Sequence, residues 1–163
     1  MNDTIQASKV TLRETIPSDL ETLFHFQADD EYGYQAAFMN EKWKDRDAYI
    51  AKLNKLLADK VIIRTIVVGD KVAGSVFIWH MGDEPQISYG IGREYWNKGI
   101  ATTALQQFLA SVPLRPLYGR LAYDNIGSAR VLEKCGFKKI GEDKGYAFTR
   151  NAEILEFVFL LEG

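Results

Sequence analysis

The sequence predicts an α+β fold built on one βαβ core. Three observations predict it. Two β-rich runs, VIIRTIVV at Val61 to Val68 and VAGSVFIW at Val72 to Trp79, flank a short Gly69-Asp70-Lys71 turn and read as an antiparallel hairpin. Ile100, Ala104, Leu105, Phe108, Leu109 and Val112 form a 3.6-residue apolar stripe that stops at Pro113, which is the pattern of a helix. Strand-like segments stand on both sides of it, Gln86 to Gly92 before and Leu117 to Tyr123 after. Strand, helix and strand in succession imply a right-handed crossover between parallel neighbours.

The other elements follow in chain order. Val10 to Glu14 reads as a strand, and Pro17-Ser18-Asp19 opens a helix whose Leu20, Leu23 and Phe24 fall at i, i+3 and i+4. Its polar end is ADDEYG, Ala28 to Gly33. A second helix starts near Asp45 to Asp47 and carries Tyr49, Leu53, Leu56 and Leu57 on one face. The loop at Gly82 to Pro85 precedes the third strand. Ser128 to Cys135 reads as a short helix ended by Gly136, with strands near Lys138 to Gly141 and Glu153 to Leu161.

At 163 residues, 47% apolar and 26% charged, the chain reads as one domain, 1–163, with its own core. Its net charge of -2 lacks the basic bias that accompanies nucleic-acid binding. MNDTIQASKV has no basic segment followed by an apolar stretch, and no window resembles a membrane span, so a soluble cytoplasmic protein is expected. Cys135 is the single cysteine and the histidines are His25 and His80, so neither a disulfide nor a metal site is expected.

The stretch EYWNKGIATTAL, Glu94 to Leu105, places a bare backbone at the mouth of the central helix. The first amides of a helix lack partners and lie at the positive end of its dipole, so a diphosphate can accept several hydrogen bonds there. Gly99 and Ala101 keep that approach open, Lys98 adds charge and Thr102 a hydroxyl. The competing reading of Gly99 is a plain turn glycine. The order Asn97-Lys98-Gly99 is not a Walker A loop, and Tyr95 stands where the third glycine of a dinucleotide fingerprint belongs.

Together with NIGSARVLEKCGFKKIG, Asn125 to Gly141, the segment WNKGIAT resembles the GNAT superfamily of acetyl-CoA-dependent N-acetyltransferases, particularly its ribosomal-protein N-terminal acetyltransferase (RimJ/RimL-like) branch. The likeness in motif runs from about Ser88 to Gly141, and the order of elements carries it back over Val10 to Trp79. It implies a three-layer arrangement with a mixed, twisted, mostly antiparallel sheet of about six to seven strands, a central βαβ unit and flanking helices. Acetyl-CoA would lie where the strands ending near Ile91 and Tyr123 splay apart. By this resemblance the cosubstrate contacts are Tyr89 and Ile91 on the strand, the loop Trp96, Asn97, Lys98, Gly99, Ile100, Ala101 and Thr102, and Asn125 and Ser128. Trp96 occupies the usual Gln/Arg position of the phosphate loop, a departure that leaves its backbone N–H in place. Asn125 would hold the pantetheine arm; by itself it reads equally as a helix-start residue.

The resemblance also implies the chemistry: direct acetyl transfer to a primary amine. A backbone N–H near Ile91 would polarise the thioester carbonyl. The helix position where many relatives carry a tyrosine is Leu132, so Ser128 is the expected catalytic donor to the thiolate, with Tyr123 and Tyr146 as further donors. The strand position where Rim-type enzymes can carry a glutamate is Gln86, which cannot take a proton, leaving Glu84, Asp83 or His80 to act through water. An α-amine titrating near about 8 is far easier to deprotonate at neutral pH than a lysine near about 10.4, and a weak base therefore favours a protein or peptide α-amine. Small-molecule amines such as aminoglycosides, polyamines or amino acids are the alternative acceptors, and a silent CoA-binding regulatory domain is the non-enzymatic one. The expected assembly is a monomer or homodimer. Asp29, Asp30 and Glu31 would attract a cationic acceptor or form a solvated face, and the stretch Asp143 to Asn151, with Tyr146 and Phe148, would form the opposite wall. Cys135, without a histidine nearby in sequence, reads as a buried structural thiol rather than a nucleophile.

Overall fold

β-Branched and aromatic runs with period-two burial gather into one seven-stranded sheet, in the order β1-β2-β3-β4-β5-β7-β6. The strands are β1 (Val10–Glu14), β2 (Ile63–Val68), β3 (Lys71–Met81), β4 (Glu84–Ile91), β5 (Leu117–Ala122), β6 (Lys138–Ala147) and β7 (Ala152–Leu161). The helices are α1 (Leu20–Gln27), α2 (Asp30–Ala36), α3 (Arg46–Ala58), α4 (Ile100–Ser111) and α5 (Ile126–Lys134). These coordinates are a computed structural model and describe residues 9–163; the reading of the first eight residues lies outside them. All pairings are antiparallel except β4 with β5, the parallel pair joined through α4. The mixed, mostly antiparallel sheet and its βαβ centre are therefore as expected.

One face carries Ile66, Val76, Ile87 and Ile91 against Ile100, Leu105 and Phe108 of α4, with Leu132 of α5. The other carries Ile63 and Phe77 against Leu20 and Leu23 of α1 and Leu53 of α3. The apolar stripes read from the sequence are thus the buried faces of α1, α3 and α4.

Three boundaries differ, each for a local reason. The β3–β4 turn is only Gly82-Asp83, because β4 runs back through Pro85. Pro85 faces His80 in a pair whose amides point away from β3, so its missing N–H costs no ladder bond. ADDEYG does not finish the first helix: the Asp29 carboxylate accepts the Tyr32 amide at 3.0 Å and starts α2. β6 continues past Gly141 to Ala147, with a register shift at Lys139/Gly141. Its exposed Glu142-Asp143-Lys144 lacks apolar alternation because β6 is an edge strand.

A buried carboxylate ties the amino-terminal elements together. Asp19 is 3% exposed and receives both Arg13 guanidinium nitrogens at 2.7 and 2.8 Å, the Ile16 amide at 3.0 Å and the Thr65 hydroxyl at 2.9 Å. Burial pushes its pKa up, but these donors outweigh burial and hold it below the usual carboxylate value. A depressed folded pKa gives stability that is present above the unfolded value and lost as pH falls through the folded one. Asp19→Asn should lower stability by about 2 kcal/mol or more at pH 7. Urea titration at descending pH should show the gap to the parent protein narrowing as the parent's Asp19 protonates.

Candidate active site

The parallel pair β4–β5 is registered only at Gln86↔Tyr118 and Ile87↔Gly119, after which the strands part. The Gly92 amide donates to the Ala73 carbonyl at 2.8 Å, which makes Gly74–Ile91 a non-hydrogen-bonded pair of the β3–β4 ladder. Alternation gives Val76–Tyr89 the same status. The peptide groups of Tyr89 and Ile91 therefore point into the gap that β5 has left. The Ile91 carbonyl is taken by the Trp96 indole N–H at 3.0 Å, so the Ile91 amide and the Tyr89 peptide groups are what the gap presents.

At the outer end of the gap the chain turns into α4 through Gly99, at φ 76°, a left-handed conformation that glycine adopts without strain. Asn97 is also left-handed, at φ 61°. Thr103 is the first residue of this helix whose amide reaches a carbonyl, that of Gly99 at 3.1 Å. Among the described residues no hydrogen bond is donated by the amides of Asn97 to Thr102. The Trp96 amide, expected to be free, instead donates to Arg93 at 3.1 Å and closes the turn before the loop. Ile100 contributes backbone alone, since its side chain is buried in the core. Lys98 and, from α5, Arg130 and Lys134 supply positive charge around the same cavity of about 560 Å³.

A second chamber of about 660 Å³ opens on the α1–α3 side of the sheet. The two share Tyr32, Ala36, Tyr89, Gly90, Asn125 and Ser128 as walls, so they meet at the splay. The Tyr32 ring lies on Gly90: a Cβ there would fall 1.8 Å from its hydroxyl. Burial pushes the Tyr32 phenol up to about 12, which keeps it a donor at neutral pH. Asn125 caps α5 by accepting the Ser128 amide at 3.2 Å and donates to the Gln35 carbonyl at 3.2 Å. Ser128 has its carbonyl bonded by the Tyr89 hydroxyl at 3.2 Å, while among the described residues no bond fixes its own hydroxyl.

Residues 9–138 match the family described as "Acetyltransferase (GNAT) domain". The chain belongs to this acetyltransferase family. It is 24% identical, over 98% of this chain and 96% of the relative, to the "Uncharacterized N-acetyltransferase p20" of Bacillus licheniformis. In fold it is similar to a spermidine N-acetyltransferase from Vibrio cholerae in complex with CoA and spermine, at TM-score 0.82 and 18% identity, over 95% of this chain and 96% of that one. It is also similar to a ribosomal-protein-S5-alanine acetyltransferase from Vibrio fischeri, at TM-score 0.74 and 19% identity, covering 94% and 93%.

Several residues of this acetyltransferase stand elsewhere than the sequence suggested. Asp29 caps α2 and pairs with Arg93 at 2.9 Å, Asp30 pairs with Lys44, and Asp29, Asp30 and Glu31 line neither cavity. Tyr123 lines neither, whereas Tyr146 and Phe148 stand in the wall of the second chamber. Glu84, Asp83 and His80 lie at the far end of the β3–β4 hairpin and line neither. Gln86 is wholly buried on the face it shares with Ser88 and Gly90, with neither amide atom partnered. Cys135 is half-buried, 3.8 Å from the Thr102 carbonyl, and burial raises its thiol pKa. Sequence reading missed Tyr32, Glu156, Arg130 and Lys134. The i, i+4 spacing of Arg130 and Lys134 was the available signal for the last two; nothing in the sequence marks Tyr32 or Glu156.

The contact between Tyr32 and Gly90 can be tested directly. Gly90→Ala should cost about 1–3 kcal/mol through overpacking, and much less in a Tyr32→Ala background. A double-mutant cycle in urea measures that coupling.

Proposed function

We propose that the protein transfers the acetyl group of acetyl-CoA directly to a primary amine. The observation that carries this reading is the meeting of two chambers at the splayed strands, one rimmed by unpaired amides and cations, the other walled largely by aromatic and aliphatic side chains. The amides of Asn97 to Thr102, with Lys98, Arg130 and Lys134, suit the diphosphate and phosphate charges of the coenzyme. The peptide groups of Tyr89 and Ile91 suit a pantetheine arm added as a short extra strand. Asn125 serves here through the cap it makes, holding Ser128 and the start of α5 against the arm.

In the reaction the amine nitrogen bonds to the acetyl carbon and the carbon–sulfur bond breaks. One proton leaves nitrogen and one joins sulfur. The Ile91 amide polarises the carbonyl as charge develops on its oxygen. The Ser128 hydroxyl donates to the departing sulfur. Tyr32 holds its proton too tightly, at about 12 against about 8.5 for a thiol, to give it up outright. It donates a hydrogen bond at the transfer point without titrating. With an α-amine acceptor the neutral nucleophile lies only about 1 kcal/mol above the ammonium form at pH 7, so water can relay the proton. The protein acts in the cytoplasm, as a monomer or homodimer, and uses neither nucleic acid nor membrane.

Gly99→Glu should weaken CoA at least about hundredfold by setting bulk and like charge against the diphosphate. Gly99→Asn, which tolerates the left-handed backbone, should retain most of the affinity. Calorimetry with CoA reads both, and undiminished binding by a folded Gly99→Glu protein would remove the loop from the site. Ser128→Ala and Tyr32→Phe should each lower kcat about tenfold or more with little change in CoA affinity. Thiol release with a panel of amines measures this; CoA binding without amine-dependent release would leave a binding domain instead of an enzyme.

A further inference from the structure

The second chamber has a charge balance and an aromatic lining that together select an acceptor. Its charged walls are three cations, Lys42, Lys52 and Arg120, and one carboxylate, Glu156. Arg120 already stands 3.1 Å from Glu156 and 3.4 Å from Asp143. Glu156 is 15% exposed and spoken for by that guanidinium, so a second or third ammonium in the chamber would find no free carboxylate and would face Lys42 and Lys52. A polyamine is therefore electrostatically disfavoured.

Between those charges the walls are rings. Phe38, Trp43, Phe77 and Trp79 are half-buried, each lining the chamber. Tyr146 and Phe148, 48% and 46% exposed, form an edge-to-face pair at 4.9 Å beside them. Rings left this open in a site of about 660 Å³ offer stacking and apolar contact to a ligand body.

We propose that the acceptor is the α-amine of a short peptide whose first side chain is aromatic. The amine reaches the junction at Tyr32, Gly90 and Ser128, the aromatic side chain seats among the rings, and the peptide's carboxylate end faces Lys42 and Lys52. This rests on the acetyl-CoA reading above and supplies what that reading leaves open, the body that carries the amine.

Thiol release from acetyl-CoA with the dipeptides Phe-Ala and Ala-Ala and with spermidine tests it, alongside calorimetry of CoA on the same preparation. The two dipeptides share a backbone and α-amine and differ by a phenyl ring, whose burial should raise kcat/KM for Phe-Ala at least about tenfold. Spermidine should fall below Phe-Ala by a similar factor or more. Phe148→Ala, a change at an exposed ring, should shrink the Phe-Ala advantage severalfold through KM and leave CoA affinity unchanged. Ala-Ala or spermidine used as well as Phe-Ala, an undiminished advantage in Phe148→Ala, or no turnover of Phe-Ala by protein that binds CoA would each overturn the acceptor class while the coenzyme reading stands. Failure to bind CoA would instead overturn the coenzyme reading, and this proposal with it.

Discussion

The parting of β4 and β5 after two paired positions is the constraint on which the rest of the site depends. Two parallel strands that continued in register would satisfy each other's peptide groups and close the sheet. Here the Tyr89 groups and the Ile91 amide are left facing a gap, and unpaired backbone in a buried setting costs about 1–3 kcal/mol per group unless something else pairs with it. In the proposed function a bound strand-like pantetheine arm would be that partner. The gap is propped on both faces: the Tyr89 hydroxyl reaches the Ser128 carbonyl on one, and Asn125 reaches the Gln35 carbonyl on the other. Neither contact requires the ligand, so the opening is built into the fold.

The position of Tyr32 follows from how α2 is held. A seven-residue helix has little stability of its own, and its last carbonyls lack intrahelical donors. Three side chains from remote segments supply them: Arg150 to Tyr34 at 2.9 Å, Asn125 to Gln35 at 3.2 Å and Thr149 to Ala37 at 3.3 Å. Asp29 fixes the other end. The helix is thus pinned by the turn between β6 and β7 and by the start of α5, and Tyr32 is carried onto Gly90 as a consequence. Asn125 belongs to both devices, capping the helix that borders the cavity at the amide loop and anchoring the one that borders the second chamber.

This explains what could and could not be read from the chain. The central helix and its glycine were legible because apolar period and backbone bareness are local properties, and the loop at Asn97 to Thr102 needed nothing else. The hairpins were legible for the same reason. The turn bond from the Trp96 amide to Arg93 leaves no mark in residue type. The second half of β6 is not legible in the sequence, because an edge strand carries polar residues on both faces. Tyr32, Glu156 and the aromatic chamber come from segments far apart in sequence, brought together by sheet order and helix capping, so no spacing rule announces them. The acidic run at Asp29 to Glu31 allows either a cation site or a solvated face; it lines neither cavity, Asp29 starting a helix and pairing with Arg93 while Asp30 pairs with Lys44.

The missing glutamate and tyrosine then acquire a physical meaning. At the strand position of the one stands Gln86, unpartnered and wholly buried; at the helix position of the other stands Leu132, packed 3.1 Å from where a Cβ on Gly119 would lie. Neither can move a proton. A site without a strong base is adequate only where deprotonation is cheap, which sets an upper bound on the basicity of the amine it can use. Lysine, near about 10.4, would spend about 4–5 kcal/mol at neutral pH on deprotonation alone, a factor of a thousand or more in rate, while an α-amine near about 8 spends about 1. What the site holds in place of acid and base is fixed geometry: an open strand amide, a hydroxyl at the helix start and a phenol that keeps its proton. In the proposed transfer those groups would lower the barrier by stabilising developing charge, a contribution that a nucleophile already available in its neutral form can use in full.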